Sequence, residues 1–184
     1  EASAAVKVTN SHAPFVWSFR NDVMPVLSKV GCNQGACHGA LAGKSGFKLS
    51  LRGYDPETDY QTLTRQSVGR RVSLEDPAHS LMLLKPTFAV RHGGGKRFST
   101  DSLQYKIISE WIAEGAPAPK AQDVSVTGLE MFPTAATLHE GDEQQLVVMA
   151  KFSDCTERDG TRWVKYSSRN AGNSTVDADG RLKR

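Results

Sequence analysis

Cys32-Asn-Gln-Gly-Ala-Cys37-His38 decides how the rest of the chain is read. Two cysteines followed directly by a histidine form the pattern by which a c-type haem is attached. Each thiol adds across a vinyl group, and the adjacent imidazole is left facing the iron as the proximal ligand. That pattern ordinarily has two residues between the cysteines, and here there are four. The vinyl groups are a fixed distance apart, so the extra residues must loop outward, and Gly35 is expected to make that bulge sterically cheap. Two other chemistries use the same residues: a Cys32–Cys37 disulfide, or a structural zinc held by both thiolates, His38 and a fourth ligand from elsewhere.

Working outward, the motif follows a predicted helix. Ser18 is its cap, Phe19, Val23, Leu27 and Val30 recur at helical spacing, Gly31 ends it, and Pro25 is expected to bend it. A second, short helix is predicted from the cap-and-proline pair Asp76-Pro77 through Leu81–Leu84 to Pro86. The third is the clearest, with Thr100 or Asp101 as cap, Leu103, Ile107, Ile108, Trp111 and Ile112 on one stripe, and Gly115 as terminator. Residues 39–74 and 86–100 carry few periodic signals, and connections so long leave room for something other than protein in the middle.

Pro117 and Pro119 mark a change of composition. Residues 1–119 hold 14 basic and 10 acidic side chains, and 120–184 hold 9 and 10. We divide the chain into residues 1–117, a linker 118–122, and residues 123–184. The last part reads as short strands, at Val124–Met131, Gln144–Phe152 and Trp163–Ser167, with Arg181–Arg184 returning after the Asp179-Gly180 turn.

The segments Asp22-Val-Met-Pro-Val-Leu-Ser-Lys, Cys37-His38-Gly, Gly46-Phe47-Lys48-Leu49-Ser50, Asp76-Pro77-Ala-His-Ser80-Leu81-Met82-Leu83 and Trp111-Ile-Ala-Glu-Gly-Ala-Pro117 resemble, in that order, the planctomycete-type cytochrome c domain. The resemblance implies a haem c domain similar to class I cytochromes c, with terminal helices crossing over a covalently bound haem. Members of that family carry the two-residue spacing and a Met-Pro-Pro loop before the last helix. Here that loop is replaced by Arg91-His92-Gly93-Gly94-Gly95-Lys96-Arg97-Phe98. A histidine on a glycine loop suits the distal axial position, so His92 is the expected sixth ligand. Met82 is its rival, although Met82 and Met24 both read as core residues. Residues 123–180 resemble the bacterial group-two immunoglobulin-like domain. The fold class expected is therefore an all-α class I cytochrome c-like domain joined to an all-β immunoglobulin-like sandwich lacking its last strands.

A bis-histidine haem favours a lower potential than a His/Met pair and closes the iron to substrates, which argues for electron transfer over catalysis. An iron without His92 would be five-coordinate, the enzymatic or sensing alternative. Arg70, Arg71 and Arg97 are the candidate partners of the haem propionates, each with a solvated surface charge as the plainer reading. Residues 44–97 carry 10 basic and 5 acidic side chains, a surplus that could steer an acidic redox partner. His12, His79 and His139 read as surface residues, and Cys155 as a free thiol on a turn.

Composition removes other classes. The formal net charge of +3 comes from 23 basic and 20 acidic residues spread along the chain, which gives nucleic acid no concentrated patch. No apolar run spans a bilayer. The start, Glu1-Ala-Ser-Ala-Ala, lacks the basic and apolar regions of a signal peptide, so the expectation is an exported, periplasmic or extracellular chain already processed, the leading part of a longer multidomain protein.

Overall fold

The computed structural model describes residues 3–5, 7–8 and 15–184. His12 lies outside the described residues. About 25% of the chain is helical and 15% is in strands. This is neither an all-α cytochrome domain nor an immunoglobulin sandwich, and both halves of that expectation are corrected.

The helices are short because prolines and left-handed turns cut them. The first opens as a π-helical turn, Phe19–Val23, and continues as α1, Met24–Lys29. The Ser18 hydroxyl accepts from the Asn21 amide, and Gly31, at φ +84°, closes the segment. The change from π to α register falls next to Pro25, which has no N–H for the ladder. The helix α2, Pro56–Thr64, was not foreseen. Asp55 caps it by accepting from the Thr58 amide, and its buried face includes Asp59 and Leu63. A 3-10 turn, Pro77–His79, precedes α3, Leu81–Leu84. Asp76 makes no capping bond there, because its carboxylate is taken by His79 at 2.5 Å. The last helix, α4, spans Leu103–Ala113. Its cap is Ser102, which accepts from the Tyr105 amide, in place of the Thr100 or Asp101 expected.

Ile107, Ile108, Trp111 and Ile112 of α4 are fully buried, and Trp111 packs on Phe19 with ring centres 5.3 Å apart. Met24, Val26 and Leu27 of α1, Leu63 of α2 and Leu83 of α3 complete one apolar cluster. Burial of such side chains, at about 25 cal/mol per Å² of apolar surface, is what holds these short elements together.

Residues after 123 form two three-stranded antiparallel sheets instead of a sandwich. One has the order β1-β3-β4 and the other β2-β6-β5, with β1 Val126–Phe132, β2 Glu143–Gln145, β3 Val147–Phe152, β4 Glu157–Asp159, β5 Thr175–Val176 and β6 Arg181–Lys183. Only β3 alternates cleanly, burying Val148, Ala150 and Phe152, while β1 is exposed along almost all its length. A sandwich needs two inner faces, and one half-buried strand does not provide them. The predicted strand Trp163–Ser167 is irregular. Trp163 packs instead against the apolar cluster of the helical part. Further ties are the Asn21 side-chain amide donating to Val124 O at 2.9 Å, and Lys29 donating to Arg162 O and Ala178 O. Beside the linker, Ala116 is buried and its carbonyl accepts from the Tyr60 hydroxyl at 2.9 Å. Among the described residues no helix is long and apolar enough to cross a membrane.

Two buried carboxyls mark the helical part. The Ser50 amide and hydroxyl donate to Asp59 at 2.5 and 2.6 Å, and the Ser18 amide donates to Asp22 at 2.9 Å. Burial raises both above the ordinary 3.8, against the pull of those hydrogen bonds. A raised folded value means the native state holds the proton more tightly than the unfolded chain. The stability each contributes is thus present at low pH and is lost as pH rises through the folded value. Asp59→Asn keeps the Ser50 amide bond at Oδ1, reverses the Ser50 hydroxyl bond by donating from Nδ2, and removes the titration, so its stability relative to wild type should improve as pH rises from about 4 to 7. Denaturant melts of the two proteins across that range check this. A constant difference between them would refute it.

Candidate functional site

The loop carrying the cysteines is a series of tight turns. The Cys32 amide donates to Leu27 O at 2.8 Å, the Cys37 amide to Gln34 O at 2.9 Å, and the His38 amide closes back on Cys32 O at 2.9 Å. The four residues between the cysteines are thus wound into turns, with Asn33 buried and Gly35 and Ala36 exposed. Gly35 is not what permits this, because a Cβ there would meet only Leu51 Cδ1 at 3.9 Å. Gly39 is the residue that does: a Cβ on it would lie 2.1 Å from Asn33 O. The sequence reading chose the central glycine for its position, while the close backbone approach occurs just after His38.

Cys32 and Cys37 are both free thiols, with Cys32 buried and Cys37 partly exposed. The disulfide alternative is therefore not formed. Burial pushes the Cys32 thiol up to about 11, with the nearby Arg97 cation opposing. Arg97 instead lies beside Cys37, its guanidinium 3.5 Å from Sγ and 3.5 Å from Val30 O. Cys155 is exposed on its turn, at φ +64°. Treating the haem-free chain with an alkylating agent near neutral pH should modify Cys155 and Cys37 well before Cys32, as read by peptide mass. Equal labelling of Cys32 would show that its burial is not maintained.

His38 follows the loop, and its neighbours fix the ring. Its Nδ1 lies 3.1 Å from Phe47 O, and the Phe47 ring packs on it with centres 4.4 Å apart. His92, on the glycine loop, places its Nδ1 2.9 Å from Gly95 O. A carbonyl can only accept, so both Nδ1 atoms are donors, and in the neutral tautomer this selects the lone pair sits on Nε2. Burial lowers the His38 value, favouring that neutral form near pH 7. Gly94 packs against the Cε1–Nε2 edge of His92, where a Cβ would come within 2.9 Å of the ring.

The two imidazoles are nearly parallel, at 10°, with centres 6.3 Å apart. Offset-stacked rings have centres about 4.5–7 Å apart, and this pair falls in that range. Both rings line a cavity of about 230 Å³, together with Cys32, Phe47, Leu49 and Met82. Met82, buried on α3, shares the cavity wall with His92.

The three candidate arginines separate. Arg97 is at the Cys37 side. Arg71 is buried and its terminal N–H groups are all engaged: Nη1 with Thr62 O and Gln66 O at 2.9 and 3.2 Å, Nη2 with Ser67 Oγ and Gly46 O at 3.2 and 3.5 Å. Arg70 is exposed and lines the same cavity. His79 and His139 are exposed and sit beside Asp76 and Asp142.

No family model, curated protein or solved structure matches this chain. Among the described residues no three His, Cys, Asp or Glu side chains gather into a metal-holding group, which weighs against the zinc alternative built on Cys32, Cys37 and His38. A haem asks for less, because its own nitrogens fill the equatorial positions and only two axial ligands come from protein. Sequence reasoning missed Gly39, Phe47 and Gly95 as parts of this site. For the last two no signal exists, since a backbone carbonyl is supplied equally by any residue type.

Proposed function

We propose that this chain holds one covalently bound haem c and transfers electrons. The observation that carries the reading is the His38–His92 pair, parallel and 6.3 Å apart across one cavity, with each Nδ1 occupied by a backbone carbonyl. In this reading Cys32 and Cys37 supply the thioether sulfurs, His38 is the proximal ligand and His92 the distal one. Bound there, haem supplies a one-electron ferric–ferrous couple. The protein's part is to orient the ligands and exclude solvent. The Phe47 and Gly95 carbonyls hold the imidazoles in one tautomer and raise their basicity, and Leu27, Leu49 and Leu63 give the cavity an apolar wall. Were His38 and His92 both to hold the iron, no position would be left for a substrate, which favours electron transfer over turnover.

Arg71 is committed to backbone and Arg97 to the cysteine side, so Arg70 is the arginine free to turn toward a propionate. Lys44 and Lys85 line the same cavity. The positive surplus of this region suits an acidic redox partner. An exported location belongs to the same proposal and is checked by fractionating cells that express the full-length protein.

Expression in a host competent for haem c maturation tests the reading. The expected product is red, heavier than the sequence by one haem, and c-type in its alkaline pyridine spectrum. A colourless product would overturn it.

A further inference from the structure

We propose that Arg71 is a positioning residue for His38, fixing the proximal imidazole by clamping the loop that carries its hydrogen-bond acceptor. The proposal rests on the haem reading for its effect on potential, and stands on geometry already present without haem. A buried arginine normally meets a carboxylate. Arg71 meets none among its hydrogen-bond partners, which are three carbonyls and one hydroxyl. Thr62 lies on α2 and Gln66 and Ser67 just beyond it, whereas Gly46 lies on the loop beside His38. One guanidinium thus joins α2 to that loop.

Its second contact is with the loop's aromatic ring. The guanidinium carbon lies 4.5 Å from the centre of the Phe47 ring. Phe47 packs its other contact on His38, and its carbonyl accepts from both His38 Nδ1 and the Lys44 amide, the latter at 2.9 Å. The Leu49 amide then donates to His38 O at 2.8 Å, so the loop holds the histidine by ring and by backbone. Removing the clamp frees Phe47 O to drift from Nδ1. An imidazole that loses its Nδ1–H···O=C bond is a weaker donor to ferric iron, so the potential rises.

The charge of Arg71 alone acts in the opposite sense. A nearby cation favours the ferrous state, and losing it would lower the potential. Arg71→Lys separates the two, because it keeps the charge and removes the planar fork that four acceptors require. The expected result for Arg71→Lys is a raised midpoint potential, with the same direction in Phe47→Leu. Tyr60→Phe, which removes the Tyr60 bond to Ala116 O elsewhere in the same core, should cost stability and leave the potential unchanged. An unchanged or lowered potential in Arg71→Lys overturns the proposal, as does an equal shift in Tyr60→Phe.

Amide exchange on the haem-free chain reads the clamp independently. In Arg71→Lys the Phe47 and Leu49 amides should exchange about tenfold faster, which is the response of a local opening 1.4 kcal/mol easier. Unchanged exchange there refutes the clamp even if the chain proves never to carry haem. A colourless maturation product refutes the haem reading while leaving this measurement decisive.

Discussion

On the proposed haem reading, replacing His92 by alanine should convert a low-spin ferric protein into a high-spin one without releasing the haem. The reason is that His92 reaches the cavity from a loop, Gly93-Gly94-Gly95, whose folding does not depend on the ring. Its Nδ1 bond to Gly95 O is local, and the residue is only partly buried. Removing it costs the fold little, of the order of 1 kcal/mol for a hydrogen bond of this kind, while it would take away one of the two residues proposed to hold the haem iron. The mass of the product should be unchanged apart from the substitution, since the thioethers do not involve His92. Added imidazole should restore the low-spin spectrum by occupying the vacated position.

Met82→Ala should behave in the opposite way. Met82 is buried on α3 beside Leu83, and its truncation leaves a core cavity costing about 2–5 kcal/mol. Its spectrum should remain low-spin. A sulfur-to-iron charge-transfer band in the wild type, lost in Met82→Ala, would overturn the assignment of His92 and make the thioether the distal ligand.

The second large effect is expected at Gly39. Alanine there sets a methyl carbon 2.1 Å from Asn33 O and 2.6 Å from Asn33 C, both backbone atoms of a loop that the His38 and Gly39 amides close. No side chain can move aside to relieve that contact. The loop must open, at a cost of about 3 kcal/mol, the upper end for overpacking. Asn33 is fully buried, so opening the loop also exposes its surroundings to water. Gly35→Ala should change stability by no more than about 0.5 kcal/mol, since its nearest neighbour is a side-chain methyl at 3.9 Å. Unfolding curves and the yield of covalent haem measure the contrast. Equal tolerance at both positions would show that the turns around Cys32–His38 are looser than this geometry requires.

Much of the helical framework was legible. The Ser18 cap, the Gly31 stop and the stripe Ile107, Ile108, Trp111 and Ile112 stand where their residue types place them, because each is decided by neighbours within a few positions. The helix α2 was missed although Asp55-Pro56 is the same cap-and-proline pair that marked Asp76-Pro77. Its buried face includes Asp59 and Thr62 beside Leu63, so the apolar period that identifies a helix is absent. The strands after residue 123 were partly legible as alternation, but their assembly was not. Trp163 was read as strand because its flanks are β-like, and it packs instead on the helical core, a contact with no trace in its own segment.

The candidate site divides in the same way. The sequence by itself determined that Cys32, Cys37 and His38 would be adjacent and that a helix would deliver them, for these are relations along the chain. It also marked His92 as a donor on a loop able to approach a ring. Only the tertiary structure decided that His38 and His92 line one cavity with nearly parallel rings, and that Phe47 and Gly95 carbonyls select their tautomer. It also sorted Arg70, Arg71 and Arg97 by what each guanidinium touches. Those outcomes depend on how α2, α3 and the glycine loop close over the motif, and closure is set by burial summed over the whole core, a quantity no local pattern contains.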